Sequence, residues 1–485
     1  MEMQKNDETS EALDDLFVAF VHAALPLLNQ WITAGELWGD SYLRGDFEEN
    51  AYYRTSDHVP AFGGLLQKHL SDLLALEETQ RCVEKHMQAG VLPVSTGGTD
   101  EAVQPAVLDL LVPFVESCKQ QDELPLADLT NGQILEQYYR CRTAWEDADS
   151  RFTITFPLIN FSSDISQSKQ LSPHLSLAPL TPADKTTLWN DDAKLFTFST
   201  PPLDATTFLH LTWKLVGTFS AQKKEDASDV SNTRQEALDE LGDIMTAMHL
   251  LKGGDAGAPA IYQKRLAPVL WEGTRMCYPL NQVRQFPSSR FSAYELHESD
   301  IAPLQELVKA LQQLRLAQPR GTSAVYGDLS VGLRRFNQSY ERRLPEDQII
   351  DLTIALESTL LADHDDELTY RLAVRGAALL ADAGTSWRPR RSRALLTAMY
   401  AVRSSIVHSG QLLSDQKILN KIRSIEMESK DFPQQCEQIV RDVLTAYVQR
   451  RAPNQSVKQI NKSLEERIAD GLEAQMSSVD VLDPS

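Results

Sequence analysis

Apolar residues recur at three- and four-residue steps through much of the first 150 residues of the chain. The longest such run is formed by Leu13, Phe17, Phe20, Ala24 and Leu27. This spacing places the apolar side chains on one face of an α-helix. Similar runs lie within residues 65–74 and 107–115. The pattern therefore predicts a helical N-terminal region over residues 1–150.

The pattern changes at about residue 151, where apolar and polar residues begin to alternate. Alternation is typical of a half-buried β-strand, and strands are predicted over residues 151–156, 195–199 and 208–216. Helices are predicted to begin near Thr181, which precedes a proline, and to cover about 233–251. The polar residues 221–232 are predicted to form an exposed loop. Residues 151–320 are thus expected to form a mixed α/β middle domain.

Helical spacing returns after residue 299. The predicted helices cover about 299–318, 327–343, 345–361, 366–383, 390–408 and 432–449. Pro345 is placed to begin one of them, and Gly384 and Gly410 are placed to end two others. We expect a helical bundle over residues 321–450. Residues 451–485 are expected to form a frayed tail and a last helix, either appended to the bundle or used as a dimer arm. The predicted fold class is mainly α.

The composition agrees with a folded chain and predicts its location. A length of 485 residues indicates two or three domains, and 42% hydrophobic with 24% charged residues is typical of a soluble protein. No run approaches the roughly 20 uninterrupted apolar residues of a membrane span. The polar, acidic N-terminus does not resemble a signal or transit peptide. Five scattered cysteines lack disulfide or zinc spacing. These features predict a cytoplasmic protein with no membrane partner.

The net charge of −21 narrows the partners that the chain can bind. A protein of this charge repels phosphate polymers as a whole, so a nucleic-acid function requires a local basic site. The acidic residues are unevenly distributed along the chain: residues 1–50 hold eleven Asp and Glu against two basic residues. Residues 331–411, in contrast, hold eleven Arg against ten Asp and Glu.

One short run in the bundle carries residues that suit acid–base chemistry. Arg403 and His408 lie near the end of a predicted helix, with four residues between them. On an ideal helix the two side chains diverge by about 140°. The spacing alone is better explained by a surface arginine and by a histidine at the helix C-terminus, where a cation interacts favourably with the helix dipole.

Three segments around this pair resemble the Apea-like HEPN family. Residues 333–361 resemble the opening helices of the domain, and residues 367–380 resemble its next helix. Residues 403–410 resemble its Arg-Ser-x-Ile-Val-His-Gly signature. The chain departs from the signature at Ser409, which separates His408 from Gly410. Parts of residues 150–300 are similar to the region that often precedes this domain. The N-terminal 150 residues carry no such resemblance.

The resemblance implies a helical bundle that forms a homodimer. In catalytic members the Arg-x4-6-His motifs of two protomers meet in one cleft and cut RNA without a metal or another cofactor. Histidine suits proton transfer near neutral pH, and a guanidinium suits the extra charge on a phosphorane. We therefore expect Arg403 and His408 to be catalytic, each protomer supplying part of a shared site.

Other side chains are weaker candidates. Glu357 is expected either to orient Arg403 or His408 or to form a buried salt bridge with Arg371 or Arg375. Tyr400 is expected either to line the cleft or to pack in the core. Four arginines just before the motif helix are expected to steer phosphates, or else to be a solvated helix start: Arg388, Arg390, Arg391 and Arg393.

Two further groups are predicted to be structural. Asp351 and Arg334 are expected to pin the first two bundle helices together. The acidic cluster at residues 363–367 is expected to cap a helix and not to bind a metal.

The expected function is that of a HEPN endoribonuclease or toxin-like effector in anti-phage defence. The acidic N-terminal region would sense a protein trigger or restrain activity until one acts. The alternative is a non-catalytic HEPN protein that serves as a dimerisation or partner-binding module. A nucleotide-transferring bundle is a third, weaker option.

Overall fold

The structure is a computed structural model that describes most of the chain. The described residues are 3–34, 42–47, 52–57, 65–66, 68–89, 129–146, 149–195, 209–222, 228–265, 275–279, 293–319, 324–362, 367–450 and 456–479, with Val107, Leu110, Leu111, Phe114 and Val115. Helices predominate among them, as predicted, and a smaller sheet region lies in the middle of the chain.

The N-terminal region consists of helices and one β-hairpin. Its elements are α1 (Met3–Thr33), β1 (Tyr42–Phe47), β2 (Tyr52–Asp57), α2 (Leu70–Leu74), α3 (Glu77–Gln88) and α4 (Asn131–Glu146). The prediction of an all-helical region is wrong at the hairpin, where β1 and β2 pair in antiparallel register. These strands are largely polar, so no apolar periodicity marks them in the sequence.

Helix α1 buries its apolar face in a core of its own. Phe17 stacks on Tyr138 of α4 with ring centroids 4.4 Å apart, and Phe114 meets Phe17 edge to face. Part of this helix, Leu13–Thr33, is long and apolar enough to cross a membrane by length and composition. A search for about 20 uninterrupted apolar residues does not select that stretch. A core helix of a soluble protein meets the same criterion, and the packing of Phe17 and Phe20 is of that kind.

The middle region is built on a six-stranded antiparallel sheet. Its strands are β3 (Asp149–Leu158), β5 (Lys169–Gln170), β6 (Leu175–Pro179), β7 (Trp213–Gln222), β8 (Ala260–Arg265) and β9 (Arg275–Pro279), in the order β5-β6-β7-β3-β8-β9. A separate parallel pair joins β4 (Phe161–Ser163) and β10 (Tyr294–Leu296). The strand predicted at 151–156 is present, and the one predicted at 208–216 begins at Trp213.

Three helices accompany the sheet: α5 (Pro182–Leu195), α6 (Ser228–Leu251) and α7 (Ile301–Leu316). The start of α5 is as predicted, because Thr181 and Asp184 each accept a hydrogen bond from the other's backbone N–H in a capping box. Leu195 belongs to this helix and not to a strand, and residues 196–199 lie outside the described residues. The predicted loop at 221–232 is wrong at both ends: its first residues end β7, and residues 228–232 begin α6.

The C-terminal part of the chain is a helical bundle. Its helices are α8 (Ser330–Ser339), α9 (Pro345–Leu360), α10 (Leu368–Asp382), α11 (Pro389–Ser409), α12 (Gln416–Arg423), α13 (Phe432–Arg450) and α14 (Val457–Val479). Gly384 and Gly410 both adopt left-handed backbone conformations just after a helix, as predicted. The short helix α12 was not predicted.

The described side chains of helix α14 pack against its own bundle, as expected of an appended helix. Val457, Ile460 and Leu464 are buried in the bundle core. Glu465 accepts hydrogen bonds from Arg371 at 2.7 Å and from Nη2 of Arg375 at 2.6 Å. Because the side chain of Arg375 is fully buried, this carboxylate from α14 neutralises a cation inside the bundle.

The sheet region and the bundle share one continuous hydrophobic cluster, whereas the N-terminal helices form a separate one. A buried polar network also joins the two parts. Arg441 of α13 donates from Nε to the carbonyl oxygen of His249 in α6 at 3.1 Å. Its guanidinium also donates to Glu437, which accepts a hydrogen bond from Tyr340. The packing thus fixes the bundle against α6.

A second buried carboxylate, Asp243 of α6, predicts a pH dependence of stability. It accepts hydrogen bonds from Arg315 Nε at 2.9 Å and from the Tyr326 hydroxyl at 2.8 Å. Burial raises the pKa of Asp243 to about 6, against the lowering effect of Arg315. The folded chain therefore binds this proton more tightly than the unfolded chain, in which the pKa is near 3.8.

Asp243 contributes its full stabilisation of the fold below about pH 4. This contribution, on the order of 3 kcal/mol, is lost as the pH rises through about 6. We expect Asp243→Asn to flatten the fall in unfolding free energy between about pH 4 and about pH 7. Urea unfolding of both proteins across this range measures the difference. Asp239→Asn is the matched control, because Asp239 is 37% exposed and lies 3.7 Å from Arg315. Identical pH profiles for wild type and Asp243→Asn would contradict the prediction.

Candidate functional site

Helix α11 carries the Arg-x4-His pair and is defined at both ends by its sequence. Pro389 occupies the first turn, and Gly410 ends the helix with φ +61° while its N–H donates to the Ile406 carbonyl. Beyond the end, the N–H of Leu413 donates to Glu346 of α9 at 2.9 Å. This bond holds the segment after α11 against the start of α9.

Arg403 forms an ion pair with Glu357 of α9. The Arg403 Nη2 lies 3.6 Å from the nearest Glu357 oxygen, and the side chains are 23% and 24% exposed. Burial raises the pKa of Glu357, while Arg403 lowers it. The Nε of Arg403 is buried and has no hydrogen-bond partner among the described residues. The guanidinium is thus oriented by one carboxylate, and the side chain is still partly open to solvent.

The choice left open for Glu357 is resolved in geometric terms. The two arginines that could have formed a salt bridge with it, Arg371 and Arg375, are instead bound by Glu465. Glu357 forms its ion pair with Arg403 instead, and its role in orienting a catalytic group stays a prediction.

His408 lies at the exposed end of α11. No described residue forms a hydrogen bond or ion pair with its imidazole, which is open to solvent. Two large apolar side chains beside it in sequence are also exposed, Val407 by 47% and Leu412 by 55%. Within one chain Arg403 faces α9, while the 100° per residue of a helix directs His408 about 140° away. One chain does not bring the two side chains together.

The four arginines before the motif lie at the start of the motif helix itself. Arg390, Arg391 and Arg393 lie in the first turns of α11, and Arg388 is its N-cap residue. All four are exposed. An open groove lies between α11 and α12, and of the four arginines only Arg390 and Arg393 line it. Tyr400 is half-buried and packs against the hydrophobic core.

Lys421 of α12 is a polar residue beside the site that sequence reasoning missed. Its ammonium donates to the Ala401 carbonyl at 3.0 Å and to the Ser405 hydroxyl at 2.7 Å. Burial and the neighbouring Lys417 lower its pKa. The amphipathic pattern of residues 416–423 could have indicated the helix that carries Lys421. Eight residues, however, are too few to establish a helical period.

The structural pairing predicted for Asp351 involves different arginines. Asp351 accepts hydrogen bonds from Arg335 at 2.9 Å and from Arg342 at 2.5 Å, whereas Arg334 lines a separate pocket beside α6. The prediction was right that Asp351 pins α8 to α9 and wrong about its partner. Of the acidic cluster, residues 363–366 lie outside the described residues.

The described parts of the chain contain no group of three His, Cys, Asp or Glu side chains that could hold a metal ion. Comparisons with protein-family models, curated proteins and solved structures found no match for this chain. Function is therefore inferred from the residues, their geometry and the sequence resemblance.

Proposed function

We propose that the chain is a metal-independent endoribonuclease of the HEPN type, a cytoplasmic toxin-like effector in anti-phage defence, with Arg403 and His408 as its catalytic residues. The observation that carries this proposal is the environment of the two side chains near the C-terminal end of α11. Arg403 is paired with Glu357 and keeps 23% of its side chain exposed, and His408 is exposed. The sequence resemblance of residues 333–361 and 403–410 supports the same assignment.

The proposed reaction uses the nucleophile of RNA itself. The 2′-hydroxyl loses its proton to an imidazole and attacks the adjacent phosphorus, and the bond to the 5′-oxygen breaks as that oxygen takes a proton from an imidazolium. The products are a 2′,3′-cyclic phosphate and a 5′-hydroxyl. The guanidinium of Arg403 stabilises the additional negative charge of the transition state through paired N–H donors.

The proposed site is completed by a second copy of the chain. Since Arg403 and His408 diverge on one helix, His408 of one copy would act beside Arg403 of the other across a two-fold axis. Exposed apolar side chains near the end of α11 favour such an interface. Val407 and Leu412 flank His408, and Leu344 is 57% exposed at the start of α9, which the Leu413–Glu346 hydrogen bond holds close by.

Mixing two inactive variants tests the shared site. Arg403→Ala and His408→Ala are each expected to be inactive, while a mixed dimer has one complete site. Random pairing of the two should restore about a quarter of wild-type activity, because half of the dimers are mixed and each has one of two sites. The measurement is cleavage of a labelled RNA after the variants are co-purified at equal amounts.

Each result of the mixing experiment has a distinct meaning. Failure of the mixture alongside an active wild type would contradict the shared site. An inactive wild type would favour the second candidate function, a non-catalytic dimerisation or partner-binding module. That module is favoured by the same exposed apolar side chains and by the net charge of −21.

A further inference from the structure

An open groove of about 420 Å³ runs between α11 and α12. Three cationic side chains line it: Arg390 and Arg393 from α11, and Lys421 from α12. The floor on the α11 side is formed by small residues, Ala394, Ala398 and Ala401. Small side chains let a ligand backbone approach the helix closely, between flanking positive charges.

The groove is basic in an acidic protein. No carboxylate lines it, and no Asp or Glu among the described residues lies within ion-pair distance of its three cations. Lys421 uses two N–H donors on Ala401 and Ser405 and has a third available. The positive end of the α11 dipole adds to this potential. An arginine-rich first turn opposes that dipole and is unfavourable unless an anion binds there.

An exposed aromatic ring stands beside the groove. Tyr370 of α10 is 56% exposed, and the guanidinium carbon of Arg393 lies 5.4 Å from the centre of its ring. Cations that follow a backbone, together with an aromatic face for a base, are the two features by which proteins hold single-stranded nucleic acid. An acidic peptide would need the cations but would have no use for the ring.

The groove lies on the same face of α11 as the proposed catalytic histidine. Arg390 and His408 are eighteen residues apart on one continuous helix, which is about five turns and about 27 Å. Both side chains therefore lie on the same face of α11. A strand bound in the groove and continued along this face reaches His408 after several nucleotides.

We propose that the groove between α11 and α12 binds a single-stranded RNA segment and leads it to His408. Arg390, Arg393 and Lys421 contact its phosphates, and a base stacks on Tyr370. The inference rests on the proposed ribonuclease function and adds the path of the substrate. It also assigns different roles to the four arginines. Arg390 and Arg393 bind the strand, whereas Arg388 and Arg391 lie outside the groove and make no contact with it.

Binding of the full chain to an uncleavable 2′-O-methyl RNA oligonucleotide tests the proposal, with fluorescence anisotropy as the readout. Arg390→Gln with Arg393→Gln should weaken binding by about tenfold or more and lower the salt dependence by about 1.4 in log–log slope. The matched control, Arg388→Gln with Arg391→Gln, removes the same charge and should change affinity by less than about threefold. Tyr370→Ala should weaken binding by about fivefold or more.

The proposal would be overturned by no binding by wild type, by equal losses in the two double variants, or by equal binding of a duplex of the same length. Equal displacement by polyglutamate of matched charge would also overturn it, since that would indicate an acidic-peptide site. These readouts do not depend on cleavage. Groove-dependent binding without RNA cleavage would leave the groove assignment standing and reject the ribonuclease.

Discussion

Replacing His408 with alanine is expected to lower the rate of RNA cleavage by about 10²- to 10⁴-fold, the usual contribution of a general acid or base. The imidazole is the proposed carrier of both protons in the reaction, and no other histidine lies on α11. The measurement is the initial rate on a labelled RNA at equal protein concentration, accompanied by growth of cells that express each protein.

The same substitution should leave the fold unchanged. His408 is exposed and makes no hydrogen bond with a described residue, so the free energy of unfolding should change by less than about 0.5 kcal/mol. Ser414→Ala, at an exposed position beyond the end of α11, is the control and should keep full activity. Equal cleavage by wild type and His408→Ala would remove the histidine from the reaction.

The largest expected effect on stability comes from Glu437. Glu437→Leu should lower the free energy of unfolding by about 3–5 kcal/mol, because it leaves the buried guanidinium of Arg441 without its carboxylate. The hydroxyl of Tyr340 loses its acceptor as well. Chemical unfolding followed by circular dichroism measures the loss.

A double variant distinguishes the effect of losing the ion pair from the effect of losing the volume that its side chains fill. Glu437→Leu with Arg441→Met removes both charges and should recover most of the lost stability. Because Arg441 also donates to the His249 carbonyl, the single variant should speed hydrogen exchange in both α6 and α13. Exchange that increases in α13 alone would contradict the coupling between the sheet region and the bundle.

The elements that sequence reasoning predicted well are those with local signals at their ends. Pro345 fixes the backbone for a helix start, and Gly384 and Gly410 allow the left-handed conformation that ends a helix. The start of α9 and the ends of α10 and α11 therefore lie close to the expected residues. Strand β3 was recognised because its alternation is local too.

The elements that were missed have polar or short sequences. The hairpin of β1 and β2 has little apolar alternation, and α12 is too short to establish a period. The first turn of α6 is polar and reads as a loop, although it continues a long buried helix. In each case tertiary packing supplies stability that a local pattern does not reveal.

Pairings between distant side chains were beyond the sequence. The ion pair of Arg403 with Glu357 was one of several choices, and it became identifiable only because Glu465 occupies Arg371 and Arg375 from about 90 residues away. Asp351 was likewise grouped with Arg334, but its partners are Arg335 and Arg342. Adjacent residues on a helix point in directions about 100° apart, so Arg334 faces away from Asp351.

The chemistry of the cleaved ends tests the central claim most directly. Purified full-length protein is incubated with a single-stranded RNA in the presence of EDTA, and the product ends are determined. The ribonuclease account predicts cleavage under these conditions with 2′,3′-cyclic phosphate and 5′-hydroxyl ends, all dependent on His408. Products with 5′-phosphate ends, or RNA that stays intact with wild type, would contradict it.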